Sequence, residues 1–230
     1  MSLPIHREGL PIIGILVAGA AALWILHAPL GWAGAALAAW SAWFFRDPER
    51  RPPAIPNAIL SPADGRLLPL VKAPPPPELA MGDAPRTRIS IFMNIFDVHV
   101  NRIPADGTIT AIHYRPGRFV NAAFDKASDE NERLAARMIT ADGTELAFVQ
   151  IAGLVARRIR STLAVGDRVR AGARFGIIRF GSRVDVYLPD GVAPRGRAGA
   201  RMVAGETVIA VPGANTAAGG AAAVGGDGTP

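Results

Sequence analysis

A glycine–serine pair at residues 181 and 182 is the most informative feature of this sequence, because of its position. The pair interrupts two β-forming runs in the segment GIIRFGSRVDVYLP at 176–189. A serine hydroxyl beside a constrained peptide bond can attack the preceding carbonyl carbon and form an ester. Elimination and hydrolysis of that ester would leave a keto group at the new chain end. We therefore predict that the chain cuts itself between Gly181 and Ser182.

Self-cleavage also needs a base to remove the serine proton and a group to orient that base. The chain has four histidines, and two of them belong to the apolar N-terminal region. His113 lies within the segment TAIHYRP at 110–116, where stacking against neighbours is a sufficient explanation for it. His99 is therefore the predicted base. Asp64 is the predicted orienting carboxylate, with Asp97 as its rival.

Three polar motifs surround these candidates, and each also has a structural interpretation. SPADG at 61–65 places Asp64 in a turn, and the structural alternative is an Asx-type turn in which Asp64 bonds its own backbone. FDVHVNRIP at 96–104 would, as an alternating strand, place Asp97, His99 and Asn101 on one face. A hydrogen-bonded structural histidine is the alternative there. NER at 131–133 is equally compatible with a solvated helix end.

The elements that must position these residues read mainly as short strands. DG at 142–143, between two apolar runs, predicts a tight hairpin. The segment 165–176 resembles the hairpins of small barrel-sandwich modules, but a carrier role is excluded because no lysine follows Lys126. We predict a mainly β fold, a β-sandwich or barrel-sandwich-like catalytic domain over residues 57–212. The predicted strands are Gly65–Val71, Arg88–Ile95, Gly107–Tyr114, Ala135–Thr140, Thr144–Ile151, Arg174–Phe180, Val184–Tyr187 and Thr207–Val211.

The N-terminal region is apolar and predicts membrane association. Residues 10–45 carry no charged side chain, and aromatic residues crowd the far end of the run. The run is too long for a signal peptide. It fits an α-helical hairpin, or one span plus an interfacial helix, and a buried core hairpin is the soluble alternative. Basic residues on both flanks favour a hairpin with both ends in the cytoplasm.

These boundaries divide the chain into four parts. Residues 1–45 form the predicted membrane-associated hairpin, and residues 46–56 form a proline-rich linker through which no helix can pass. The catalytic domain follows, and the Gly/Ala-rich residues 213–230 are predicted to be a disordered tail. The anchor and linker would hold the domain at a bilayer surface.

The amino-acid composition limits the kinds of binding partner that the chain can have. The formal net charge of +6 comes almost entirely from arginine and suits an anionic membrane. A nucleic-acid partner is not favoured, because the basic residues are dispersed and aromatics are few outside the N-terminal region. The chain lacks cysteine and has no histidine pair at ligand spacing, so we predict no metal site.

Taken together, the motifs resemble those of the short, membrane-associated bacterial class of phosphatidylserine decarboxylase proenzymes. The resemblance covers about residues 8–212 and is carried by RDP at 46–48, SPADG, FDVHVNR, NER and FGSRVDVYLP at 180–189. It implies cleavage between Gly181 and Ser182, which yields a β chain of residues 1–181 and an α chain of residues 182–230 that stay together as a heterodimer. Ser182 would become an N-terminal pyruvoyl group.

The same resemblance implies the reaction and its place in the cell. The pyruvoyl keto group would condense with the amine of phosphatidylserine and act as an electron sink when CO2 leaves. The product would be phosphatidylethanolamine, made at the cytoplasmic face of the cell membrane. Two alternatives from other classes are a membrane-tethered barrel-sandwich adaptor without catalysis and a pyruvoyl decarboxylase of a soluble amino acid.

One position departs from the family pattern. Longer relatives carry two histidines in the segment that matches 97–104, and Arg102 occupies the second position here. Arginine cannot act as a base at neutral pH. Either His99 serves both self-cleavage and decarboxylation, or another group performs one of the two steps.

Overall fold

The computed structural model describes residues 5–117, 131–153, 158–179 and 181–213. Two helices, α1 (Leu10–Leu26) and α2 (Ala28–Phe44), precede a domain built of short strands. The strands are β1 (Ile59–Leu60), β2 (Gly65–Leu67), β3 (Val71–Ala73), β4 (Arg86–Met93), β5 (Val100–Arg102), β6 (Gly107–Arg115), β7 (Arg133–Thr140), β8 (Glu145–Ala152), β9 (Ile159–Ser161), β10 (Arg168–Val169), β11 (Arg174–Ile178), β12 (Ser182–Tyr187), β13 (Arg201–Met202) and β14 (Val208–Ala210). The predicted mainly β fold with apolar N-terminal helices is confirmed.

One large antiparallel sheet organises the domain, with the strand order β10-β6-β7-β8-β12-β4-β2-β13 and β3 beside β4. The sheet curls into a half-barrel. A second small sheet has the order β5-β11-β9, and β1 pairs with β14. Strand β12 lies between β4 and β8, so Ser182 is paired on one side with Met93 and on the other with Ala152.

Both faces of the large sheet are buried at its central strand β12. Side chains alternate along β12, so Val184 and Val186 enter the main apolar core while Tyr187 packs in a smaller cluster on the other side. Ser182 shares the core side with Val184 and Val186, and its side chain is fully buried. The sheet therefore holds the predicted nucleophile in its interior.

Most predicted strands are present with shifted ends, and the hairpin at 142–143 is confirmed by the β7–β8 pairing and by a positive φ of 83° at Gly143. The predicted strand 65–71 is wrong in its extent, because it breaks into β2 and β3. Pro69 has no N–H to donate and interrupts the ladder. The interpretation of NER as a solvated helix end is wrong, because Asn131, Glu132 and Arg133 are all buried and Arg133 begins β7. Residues 118–130 lie outside the described residues. The predicted tail beyond residue 213 also lies outside them.

The alternating strand considered for residues 97–101 is wrong at its start. Only Val100–Arg102 form strand β5, and Asp97 lies in a turn. The turn arises because the Asp97 carboxylate accepts the N–H of Asn94 at 2.9 Å, which competes with an extended ladder. Asp97, His99 and Asn101 are nevertheless all buried.

The helices form an antiparallel hairpin that breaks at His27, which has an extended backbone (φ −160°). Pro29 therefore lies in the first turn of α2, where its missing N–H is tolerated. The helices approach closely where Gly34 faces Ala20 and Gly31 faces Trp24, because an added Cβ would lie 2.9 Å and 2.7 Å from the opposing Cα atoms. The stretch from Arg7 to Leu26 is long and apolar enough to cross a membrane.

The base of the hairpin is built into the catalytic domain. Phe44 and Phe45, at the end of α2, are fully buried against Val98, Val100 and Ile177. The N–H of His6 donates to the carbonyl of Phe45 at 2.8 Å, so the two ends of the hairpin are joined there. The apolar hairpin is thus continuous with the domain core at one end and exposed along its length.

Arg102 explains how the linker is fixed. Its guanidinium donates to the carbonyls of Gly172 and Pro48 at 2.9 and 2.8 Å and to the Asp47 carboxylate at 3.3 Å. Asp47 also pairs with Arg174 at 2.6 Å. Arg102, which occupies the position of the second histidine of longer relatives, therefore holds the linker against the domain.

We expect Asp47→Asn to destabilise the domain by about 3 kcal/mol, because it leaves the buried Arg102 cation without its counter-charge. Urea titration of the detergent-solubilised protein measures this loss. Glu145→Gln is the matched control, since its pairs with Arg86 and Arg137 are partly exposed and a change below about 1 kcal/mol is expected. Equal losses for the two variants would contradict the assigned role of Asp47.

Candidate active site

The scissile junction predicted from the sequence lies at the start of β12. Gly181 has a φ of +61°, in the left-handed region that favours glycine, and an added Cβ there would meet no atom of the described residues within 4 Å. The junction thus combines a sharp change of chain direction with open space beside Gly181. The next residue, Ser182, is fully buried.

His99 is the side chain in contact with this junction. The N–H of Gly181 donates to His99 Nε2 at 3.3 Å. On the other side of the ring, Nδ1 lies 3.0 Å from the carbonyl oxygen of Asp97. A carbonyl only accepts hydrogen bonds, so Nδ1 carries the proton and Nε2 presents its lone pair to the junction. The predicted base therefore has the tautomer that a base requires.

Burial keeps this imidazole neutral. His99 is fully buried, and desolvation lowers its pKa from the ordinary 6.5 to about 4, against the opposing effect of Asp97. The ring also stacks on Phe44, with centroids 4.4 Å apart and planes inclined by 36°. The last residue of α2 thus forms one wall around the candidate base.

Asp64 is hydrogen-bonded to neither Gly181 nor His99 in the described residues, and it has two other partners. Its carboxylate accepts the backbone N–H of Ala204 at 2.7 Å and pairs with Arg50 at 2.8 Å. Burial raises the pKa of Asp64, although these two contacts oppose the shift. Within the described residues Asp64 makes no hydrogen bond to His99, whose orientation comes from the backbone of its sequence rival, Asp97.

A series of contacts inside the core leads from Gln150 through Asn101 and Met93 to Ser182. Gln150 Nε2 donates to Asn101 Oδ1 at 2.8 Å, and Asn101 Nδ2 lies 3.6 Å from Met93 Sδ. Ser182 Oγ lies 3.9 Å from the same sulfur, a weak contact that leaves the hydroxyl easy to reorient. Sequence reasoning missed Gln150, and its only signal was a single amide within the apolar run 146–152.

The junction also lies beside the base of the apolar hairpin. Arg179, two residues before Gly181, pairs with Glu8, which precedes α1 by two residues. His99 contacts Phe44, where α2 ends. Both helices therefore leave the domain next to the candidate site. In the described part of the chain no cluster of metal-ligating side chains occurs.

Comparison with known proteins identifies the class to which this fold and site belong. The family model for phosphatidylserine decarboxylase matches residues 37–210. The chain belongs to the phosphatidylserine decarboxylase family, and it is accordingly a decarboxylase.

Individual relatives agree over nearly the whole length. The chain is 60% identical over 207 residues to the phosphatidylserine decarboxylase proenzyme of Paramagnetospirillum magneticum, covering 90% of this chain and 86% of that protein. It is 53% identical to the proenzyme of Ruegeria pomeroyi and 52% identical to that of Cereibacter sphaeroides, again over 207 residues. Those alignments cover 90% of this chain and 94% and 89% of the two relatives.

Proposed function

We propose that this chain is the precursor of a pyruvoyl-dependent phosphatidylserine decarboxylase, which cuts itself between Gly181 and Ser182 and converts phosphatidylserine to phosphatidylethanolamine. The observation that carries the proposal is the neutral imidazole of His99, whose Nε2 faces the Gly181–Ser182 junction at 3.3 Å. The relatives are named proenzymes, which supports processing of this chain as well.

In self-cleavage, Ser182 Oγ leaves Met93 and transfers its proton to His99 Nε2 as it attacks the Gly181 carbonyl carbon. The C–N bond breaks and the acyl group moves to oxygen as an ester. Loss of the Cα proton of residue 182 expels the Gly181 carboxylate, and water then releases ammonia. The Cα of residue 182 is left with a ketone oxygen from water in place of its amine, and its Cβ becomes a methyl group. The fragments 1–181 and 182–230 remain paired as a heterodimer.

The position of residue 182 fits a pyruvoyl group. The site is buried, it is held by pairing on both sides, and no atom of the described residues fills the space where a Cβ of Gly181 would be. When formed, the group would supply a ketone that condenses with the substrate amine and accepts the electron pair left on the substrate carbon as CO2 departs. The chain itself contributes the Phe44 wall that shields His99 from water and an imidazole beside the reacting carbon for proton transfer.

Asp64 enters the proposal as a positioning residue. It joins the linker, through Arg50, to Ala204 in the fragment 182–230. These contacts hold the turn at 61–65 against the segment that follows the cut. The direct orienting contact on His99 belongs to the Asp97 backbone.

The position of the candidate site at the base of the hairpin supports a lipid substrate. The Glu8–Arg179 and Phe44–His99 contacts place the junction where both helices leave the domain. A headgroup at the cytoplasmic surface of an anionic membrane would reach the site without leaving its bilayer. We therefore propose that residues 1–45 anchor the enzyme at that surface, that residues 46–56 connect it to the catalytic domain, and that residues 213–230 form a tail.

The decisive experiment combines intact mass with substrate choice. We expect the purified protein to contain two chains, the smaller beginning with a keto group that reacts with hydroxylamine. Radiolabelled CO2 should be released from phosphatidylserine in mixed micelles and not from free serine. An uncut chain would favour the adaptor alternative, and CO2 from free serine would favour the soluble-substrate alternative. Deletion of residues 1–45 does not separate these cases, because it removes the buried Phe44 and Phe45.

The lowered pKa of His99 predicts the pH dependence of self-cleavage. Nε2 accepts a proton only when it is unprotonated, which holds above its pKa of about 4. The rate of cleavage of precursor made by cell-free translation should therefore stay constant from about pH 8 to about pH 5.5 and fall only below that range. A half-maximal rate near pH 6.5, in precursor shown by circular dichroism to remain folded, would contradict a buried neutral base.

A further inference from the structure

The turn at residues 94–97, between β4 and β5, presents two apolar side chains to the surface. Ile95 is 42% exposed and Phe96 is 62% exposed. The turn is well defined, because Asp97 accepts the N–H of Asn94 at 2.9 Å and Asn94 Oδ1 accepts the N–H of Phe96 at 2.8 Å. Local hydrogen bonds thus hold the backbone while both apolar side chains point outward.

Arg46 connects this turn to the base of the hairpin. One end of its guanidinium donates to the carbonyl of Trp43 and the other to the carbonyl of Phe96, both at 2.7 Å. The same guanidinium lies 4.2 Å from the centre of the Trp43 ring, which is itself 49% exposed. The exposed Trp43 ring and the turn therefore lie on either side of the Arg46 guanidinium, where α2 enters the domain.

We propose that Ile95 and Phe96 enter the interfacial region of the lipid bilayer beside Trp43, as a second membrane contact made by the catalytic domain itself. The proposal rests on the membrane association proposed above. A bilayer is the favoured occupant because the surface continues the apolar hairpin. Two cations flank it: Arg46, and Arg201, which pairs with Asp97 at 3.0 Å and remains half exposed. Aromatic rings combined with arginine suit the headgroup layer.

This contact would set the depth of the active site. The carbonyl of Asp97, at the end of the turn, is the group that orients His99 through Nδ1. The membrane-facing side chain of Phe96 is therefore only three residues from the base, along a backbone fixed by hydrogen bonds. Insertion of the turn would hold the His99–Gly181 contact at a constant height relative to the headgroups, where a lipid substrate presents its carboxylate.

The absence of cysteine allows a direct test. Phe96→Cys carries a polarity-sensitive fluorophore, and the full-length enzyme is placed in nanodiscs that contain phosphatidylserine and leave both membrane faces accessible. We expect blue-shifted emission and quenching by iodide reduced about threefold or more relative to Leu70→Cys. Leu70 is a matched control because it is 39% exposed and lies near Arg88, about 17 Å along β4 from Met93.

A probe at Ile15→Cys, in α1, separates the two proposals. If position 96 is as accessible to iodide as position 70 while position 15 is shielded, the turn does not enter the bilayer and the proposal fails alone. If position 15 is also accessible, the membrane association on which it rests fails.

Kinetics give an independent readout. Ile95→Ser combined with Phe96→Ser should raise the KM for phosphatidylserine in nanodiscs about fivefold, because the domain loses its second contact. The kcat on a short-chain, water-soluble phosphatidylserine and the extent of self-cleavage should not change. Leu70→Ser should alter none of these quantities. An unchanged KM in the double variant would overturn the proposal.

Discussion

Ser182→Ala will leave the protein as one uncut chain of 24.1 kDa without decarboxylase activity. The reason is chemical, because alanine has no oxygen to attack the Gly181 carbonyl and no group from which a ketone can form. Ser182 is fully buried in the central strand β12, and the smaller alanine side chain fits the same space. The loss should therefore be complete without loss of the fold. Denaturing electrophoresis and intact mass measure it.

Ser90→Ala is the control for this experiment. Ser90 is also a buried strand serine, on the neighbouring β4 and paired with Asp185 of β12. It faces the opposite side of the sheet from Ser182 and has no role in the proposed chemistry. We expect complete cleavage and full activity from it. Two fragments from Ser182→Ala, cut at the same bond, would overturn the proposed nucleophile.

His99→Ala should slow self-cleavage by a factor of about 10² to 10⁴, the usual contribution of a positioned general base. Nε2 is the acceptor facing the junction at 3.3 Å, and in the described residues neither Asp64 nor Asp97 makes a hydrogen bond to Gly181. The uncut chain should accumulate during a cell-free translation time course. His113→Ala, an exposed histidine on β6, provides the control and should cleave at the normal rate.

His99→Gln refines the test. The glutamine side chain can retain a hydrogen bond from the Gly181 N–H but cannot accept a proton near neutral pH. A rate as low as that of His99→Ala would show that the proton transfer matters and not the hydrogen bond. Normal cleavage in both variants would remove His99 from the mechanism of processing.

The sequence was sufficient to predict the elements with strong local signals. Alternation and a DG turn located β7 and β8, and a charge-free run located the helices. It also brought the base and the junction together, because the requirements of one reaction selected His99 and Gly181 from segments 82 residues apart. Two residues that take part in one reaction must lie close together, so their proximity could be predicted without knowledge of the fold.

Contacts that depend on three-dimensional packing could not be predicted in this way. Phe44 looked like an interfacial aromatic residue, and only packing shows that it lies against His99. Asp64 was predicted from the sequence as the carboxylate that orients His99, but its partners are the backbone N–H of Ala204 and Arg50 of the linker. A carbonyl that orients a histidine, as Asp97 does here, leaves no trace in side-chain identity.

The strand order determines how the two fragments would stay associated after cleavage. Residues beyond the junction supply β12 between β4 and β8, β13 beside β2 and β14 beside β1. A cut before Ser182 would remove a single covalent connection and none of these neighbours. The two fragments, made as one polypeptide, would then stay associated through these strand pairings. Their stoichiometry would be one to one, and fragments would not exchange between molecules even in dilute solution.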